Sequence, residues 1–172
     1  SLKEGRPLRH SDYGFQELQQ RKPMSADALF QVGRITRLLT ALILTNLMGA
    51  ANLCLDQPLA RLARDARLDA SFLSLLRSQY PILKPVTTRE LLTHTSGLPA
   101  YDKSRAYIDT FSKKPKKIWQ IEAYLDLICA PDTVYQSGYV CPARGAYADS
   151  ATNYVLAGLL IEAVSGQTIA EA

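Results

Sequence analysis

The longest apolar stretch of the chain runs from about Arg34 to Gly49. Leu38, Leu39, Ala41, Leu42, Ile43 and Leu47 leave little polar face. A helix that is apolar nearly all round belongs in the middle of a domain, so this segment is expected to be a central buried helix. Thr40, Thr45 and Asn46 interrupt it, and it is too short to span a bilayer. Asp56-Gln57-Pro58 then reads as a turn followed by a proline-started helix. Residues 58–77 alternate Leu with Arg and predict surface helices with an apolar stripe.

Thr87-Thr88-Arg89-Glu90 has capping-box spacing and predicts a short helix from Glu90 to His94, stopped by Gly97 and followed by Pro99. Residues 100–117 are polar, with no element assigned to them. Ile118 to Cys129 predicts an amphipathic helix, and Pro131 to Gly145 predicts loop. Residues 153–165 predict a strongly apolar helix closed by Gly166. Thr168-Ile169-Ala170-Glu171 repeats the capping-box pattern. At the other end, residues 2–16 predict a hairpin turning at Glu4-Gly5. Both ends are expected to be cut points, since one hairpin arm is only two residues long and a helix start has no helix after it.

Composition excludes several classes. Hydrophobic residues are 47% and charged residues 21% of 172, close to globular averages. Gross disorder and a collagen-like chain are excluded. A net charge of +4 is too small to imply nucleic acid. Lys113-Lys114-Pro115-Lys116-Lys117 could suggest a phosphate-rich partner, but a solvated loop is the simpler expectation. Trp119 and Tyr124 are expected in helix packing.

Three cysteines, Cys54, Cys129 and Cys141, are too few for a disulfide scaffold. Cys129 and Cys141 could pair, and Cys54 is expected as a small core residue. No Cys/His cluster has zinc-ligand spacing, so no metal or other cofactor is expected. Residues 1–10 are polar and do not read as a secretory signal.

Three segments, in order, carry a family resemblance. The first is Leu29 to Ala41 (LFQVGRITRLLTA) with Leu53 to Leu59 (LCLDQPL). The second is Thr87 to Pro99 (TTRELLTHTSGLP). The third is Tyr147-Ala148-Asp149 leading into Asn153 to Gly166 (NYVLAGLLIEAVSG). Together they resemble the penicillin-recognising serine hydrolases, which include class C β-lactamases, D-alanyl-D-alanine carboxypeptidases and related esterases. The resemblance implies an α/β (α+β) serine β-lactamase-like fold. Here it would be mostly the helical subdomain with remnants of the N-terminal strands. It also implies that residues 1–172 form a single partial domain, about half of a family domain. A fragment of that kind is expected to need self-association or a partner chain supplying the missing half. The family setting is periplasmic or secreted.

The family's chemistry uses Ser-x-x-Lys at the start of the central helix, with nucleophile and base on one helix face. Here those positions hold Arg34 and Arg37. Arginine offers no nucleophilic oxygen, and its guanidinium stays protonated, so it cannot serve as a general base. The pair is open to two readings. Two guanidiniums at a helix N-terminus can hold a small anionic ligand. Alternatively, they are drifted positions paired with acids from other segments.

Tyr147-Ala148-Asp149 matches the family's Tyr-x-Asp element, with about two residues more than expected before Asn153-Tyr154. No later Lys-Thr-Gly or His-x-Gly element occurs in the chain. His94 and Ser96, two residues apart, cannot face each other as a catalytic pair and are expected to be structural. The resemblance therefore implies acyl transfer on β-lactam, D-Ala-D-Ala peptide or ester substrates, with the catalytic positions at Arg34, Arg37, Tyr147 and Asp149. An inactive chain is the first expectation. An anion-binding or interaction module and an active hydrolase with a relocated nucleophile are the alternatives.

Overall fold

In the computed structural model, residues 11–65, 68, 72, 75, 76, 80–129, 133–169 and 171 are described. They fall into two compact units, residues 1–34 and 35–172.

The first unit contains a small antiparallel hairpin, β1 (Phe15–Glu17) with β2 (Lys22–Pro23). Its turn lies at residues 18–21, where the Arg21 N–H donates to Leu18 O and Arg21 takes φ 50°. No Gly or Asn marks this turn, so residue pattern alone could not place it. The expected turn at Glu4-Gly5 lies outside the described residues.

The second unit opens with α1 (Ile35–Ala50). Asn52 ends it in the left-handed conformation at φ 53°, and the Leu53 N–H reaches back to Met48 O at 2.8 Å. That six-to-one bond satisfies a carbonyl the helix would otherwise leave open. Leu53 and Leu55 turn inward onto the core while Cys54, between them, is exposed. The expected burial of Cys54 is thereby corrected: in an extended segment alternate side chains face opposite ways. Cys129 and Cys141 are free as well.

Pro58 leads into α2 (Leu59–Asp65), which buries Leu59, Leu62 and Ala63. A short 3₁₀ turn at Pro81–Leu83 precedes α3 (Thr88–Leu92). Both capping-box bonds of α3 are present. The Glu90 N–H donates to Thr87 Oγ1, and the Thr87 N–H donates to Glu90 Oε2. Another 3₁₀ turn, Tyr101–Lys103, runs into α4 (Arg105–Lys113). Ser104 caps α4 by accepting the Tyr107 N–H. The sequence predicts no helix here, where the residues read only as polar. Its large apolar positions, Tyr107, Ile108 and Phe111, are too few to stand out against Ala106 and five polar neighbours.

Helices α5 (Ile121–Cys129) and α6 (Ala151–Ser165) complete the unit. Gly166 closes α6 at φ 69°, where its N–H reaches Glu162 O. At the last capping-box pattern, the Glu171 carboxylate accepts both the N–H and the hydroxyl of Thr168.

The core gathers Leu44 and Met48 of α1, Leu62 of α2, Leu91 of α3, Leu125 of α5, and Leu156 and Leu160 of α6. Helix α1 lies along α6, and α3 also packs on α6. The expectation that α1 is buried all round needs correction. Ile35, Leu38, Leu39 and Leu42 are exposed, because among the described residues only one side of α1 meets other helices. No helix among the described residues is long and apolar enough to cross a membrane.

Candidate functional site

The site is built where the end of α3 meets the loop before α6. His94 leaves α3 in the left-handed region at φ 57°, and Gly97 follows at φ 74°. Their backbone bends present two carbonyls to the second segment. Gly145 N–H donates to Thr95 O at 2.8 Å, and Ala148 N–H donates to His94 O at 2.9 Å. Gly97 is required for both its φ and its space, since a Cβ there would sit 2.7 Å from Arg144 N. Arg144 in turn donates to both Glu90 oxygens and to Pro85 O. Burial pushes the Glu90 carboxyl up, but hydrogen bonds from Arg144 and Thr87 outweigh it and hold the group below its usual range. One residue thus caps α3 and ties down the strap that carries Tyr147 and Asp149.

His94 is buried at the centre. Its Nδ1 accepts the Ser150 N–H and lies 3.2 Å from Asn153 Nδ2. A backbone N–H can only donate, so Nδ1 is the acceptor and the neutral ring carries its proton on Nε2. That nitrogen faces Asp149 Oδ1 at 3.4 Å. Ser96 Oγ donates to Asn153 Oδ1 at 2.6 Å and accepts the Leu98 N–H. Ser96 and His94 therefore each engage Asn153, in agreement with a structural role for both.

Arg37, three positions after Arg34 and on the first turns of α1, reaches Asp149 with Nη1 at 2.5 Å from Oδ1. Its guanidinium also lies over the Tyr154 ring, 5.5 Å from the centroid. The Tyr154 hydroxyl donates to Leu92 O at 3.2 Å. Burial raises the Tyr154 phenol above its usual range, Arg37 opposes the rise and Asp149 adds to it. Tyr147 touches the His94 ring edge-on, with centroids 6.0 Å apart, while 73% of the residue stays exposed.

The structure therefore brings together Arg37, Asp149 and Tyr147 around His94. Arg34 belongs to the other unit, where it is exposed in the turn preceding α1. In the sequence His94 reads only as a structural residue, and Asn153 and Tyr154 only as part of a resembling segment; the structure makes all three members of the cluster. Asn153 and Tyr154 lie on α6, and their role follows from its first turn meeting the end of α3. Chemically, the cluster holds one cation already bound to a carboxylate, one histidine fixed as a donor, and the hydroxyls of Ser96 and Tyr154 committed to an amide and a carbonyl acceptor. Among the described residues, no three His, Cys, Asp or Glu side chains come together as a metal site.

Comparison with known proteins places this geometry in context. A family model described as Beta-lactamase matches residues 2–172. The chain is 28% identical over 164 residues to penicillin-binding protein 4* of Bacillus subtilis, covering 95% of this chain and 31% of that protein. It superposes on the structure of a penicillin-binding protein from Bacillus halodurans with TM-score 0.62 and 26% identity, over 98% of this chain and 46% of that one. The octameric penicillin-binding protein homologue from Pyrococcus abyssi gives TM-score 0.58 and 26% identity, over 92% and 32% respectively. The chain spans less than half the length of each of these relatives.

Proposed function

The chain belongs to the β-lactamase family, and from that premise we propose that it is a serine hydrolase homologue in which acyl transfer is silenced. The family's acyl-transfer substrates would be β-lactams, D-Ala-D-Ala peptides or esters. The observation that carries the reading is the ion pair of Arg37 with Asp149. At the lysine position the family needs a base with a tunable proton. Here a permanent cation stands in its place, and it is held by the acid of the Tyr-x-Asp element. Arg34, at the nucleophile position, supplies no attacking oxygen.

The ion pair also weighs against the two arginines as a grip for an external anion. Arg37's charge is answered within the chain, and a ligand carboxylate would have to compete with Asp149. An active site rebuilt on another nucleophile gains no support from Ser96, whose proton is committed to Asn153.

Intact mass measured after incubation with a fluorescent penicillin and, separately, a fluorophosphonate tests the reading. The expected result is no adduct on the natural chain. An adduct there overturns it, and peptide mapping would locate the new nucleophile. The double variant Arg34→Ser/Arg37→Lys, run alongside, reports whether the two arginines alone account for the silence.

A further inference from the structure

The turn between α4 and α5 combines charge with exposed apolar surface, and the proposed hydrolase chemistry uses none of it. Residues 103–117 carry six Lys or Arg and one Asp, a formal +5, whereas the whole chain sums to +4. All of the molecule's positive excess is therefore concentrated in this stretch. The single acid in it, Asp109, is paired with Arg105. No further acid occurs before Glu122.

Lys113, Lys114, Lys116 and Lys117 cluster at the tip, all exposed. The turn is a closed one: Lys114 N–H caps α4 on Thr110 O, and Lys117 N–H returns to Lys114 O. Beside the lysines lie two large apolar side chains that the fold leaves in solvent. Ile118 is 85% exposed and Phe111 51%. Between them a chain of ring contacts runs from Phe111 to Tyr107 and on to Trp119. Lys117 Nζ sits 3.9 Å above the Trp119 ring. The rings contact one another and form a continuous aromatic surface next to Ile118 and the lysines.

We propose that this turn docks the protein peripherally on an anionic lipid surface. Two features together favour lipid over a soluble polyanion. Lysines alone would suit either partner, since both offer phosphates. An exposed isoleucine and phenylalanine next to a tryptophan gain nothing from a hydrated polyanion, but they gain burial at the headgroup–acyl boundary. In that arrangement the ammonium groups meet lipid phosphates while Ile118 and Phe111 enter the interface. The docking is electrostatic in its approach and weakens with salt, because exposed charges are screened beyond about 10 Å at 0.1 M.

Trp119 is the chain's single tryptophan, so its emission reports this surface alone. The full chain is titrated with vesicles of phosphatidylglycerol mixed with phosphatidylcholine, with vesicles of phosphatidylcholine alone, and with soluble polyphosphate. Trp119 emission and co-sedimentation are followed together. The expected result is a blue shift and co-sedimentation with the anionic vesicles only. Each Lys→Gln change among Lys113, Lys114 and Lys116 weakens binding about fivefold. Ile118→Ser weakens it by about the same factor. Ile118 is solvent-exposed, so this variant keeps its far-ultraviolet circular dichroism. Absence of binding to the anionic vesicles overturns the proposal. So does vesicle binding that is unchanged in Ile118→Ser and displaced by polyphosphate, which would make the turn a polyelectrolyte site instead.

Discussion

Helices α1 and α6 are nearly equal in apolar content and lie against each other, yet the fold treats them differently. In α6, Thr152, Asn153, Leu156, Ala157, Gly158, Leu160 and Ile161 are all buried. In α1, only Thr40, Leu44 and Met48 are, and Leu38 remains 69% exposed. The cause is position. Helix α6 is contacted by α1, α3 and α5, so more of its surface finds a partner. Helix α1 meets α6 along one side. Apolar content states what a helix can bury, and its neighbours decide what it does bury. Even the polar residues of α6 follow this rule. Asn153 is buried because Ser96 and His94 satisfy its amide, and Thr152 because Pro99 O accepts its hydroxyl.

The sharpest test of this contrast is Leu160→Ala. Leu160 is fully buried, so its loss should cost about 2–5 kcal/mol in urea unfolding. A cost near zero would mean that α6 is not the centre of the core. Next is Gly97→Ala, which attacks the bend that brings His94 and Ser96 to the first turn of α6. Positive φ and the close approach of Arg144 act together, and a loss of about 1–3 kcal/mol is expected by the same measurement.

Glu90→Gln addresses α3, the helix that packs on α6 and carries the site. Its carboxyl is held below the usual 4.5 in the folded protein. The stability it contributes is present above pH 4.5 and is lost as pH falls through the lower folded value. Unfolding measured from pH 7 downward should therefore show a flatter acid decline in Glu90→Gln than in the natural chain. At neutral pH the amide oxygen still accepts the Thr87 N–H, and the variant loses only the charge of the Arg144 pair, about 1 kcal/mol. The smallest effect belongs to the open side of α1. Leu38→Ala should change stability by no more than about 0.5 kcal/mol. The same change should reduce any concentration-dependent association seen by sedimentation, since it trims an exposed apolar face.

Parts of this fold were legible from residue types because they depend on local chemistry. The capping box at Thr87 and Glu90 needs only two side chains three positions apart. The end of α6 needs only a residue free to take positive φ at Gly166. Helix α4 was not legible, since its aromatic Tyr107 gains meaning only against Tyr101 and Trp119 from outside it. Cys54 was misread for a related reason: apolar neighbours in sequence are not neighbours in space.

The site divides in the same way. Arg34, Arg37, Tyr147 and Asp149 are singled out in the sequence by the family resemblance of their segments, one residue at a time. The inability of a guanidinium to act as a base also follows from residue type, because it is a covalent property. The pairing of Arg37 with Asp149 across 112 residues, and the tautomer of His94, were decided by the tertiary structure alone. An ion pair or a shared proton depends on where distant backbone segments bring two atoms, and the packing of α1 and α3 against α6 sets that distance.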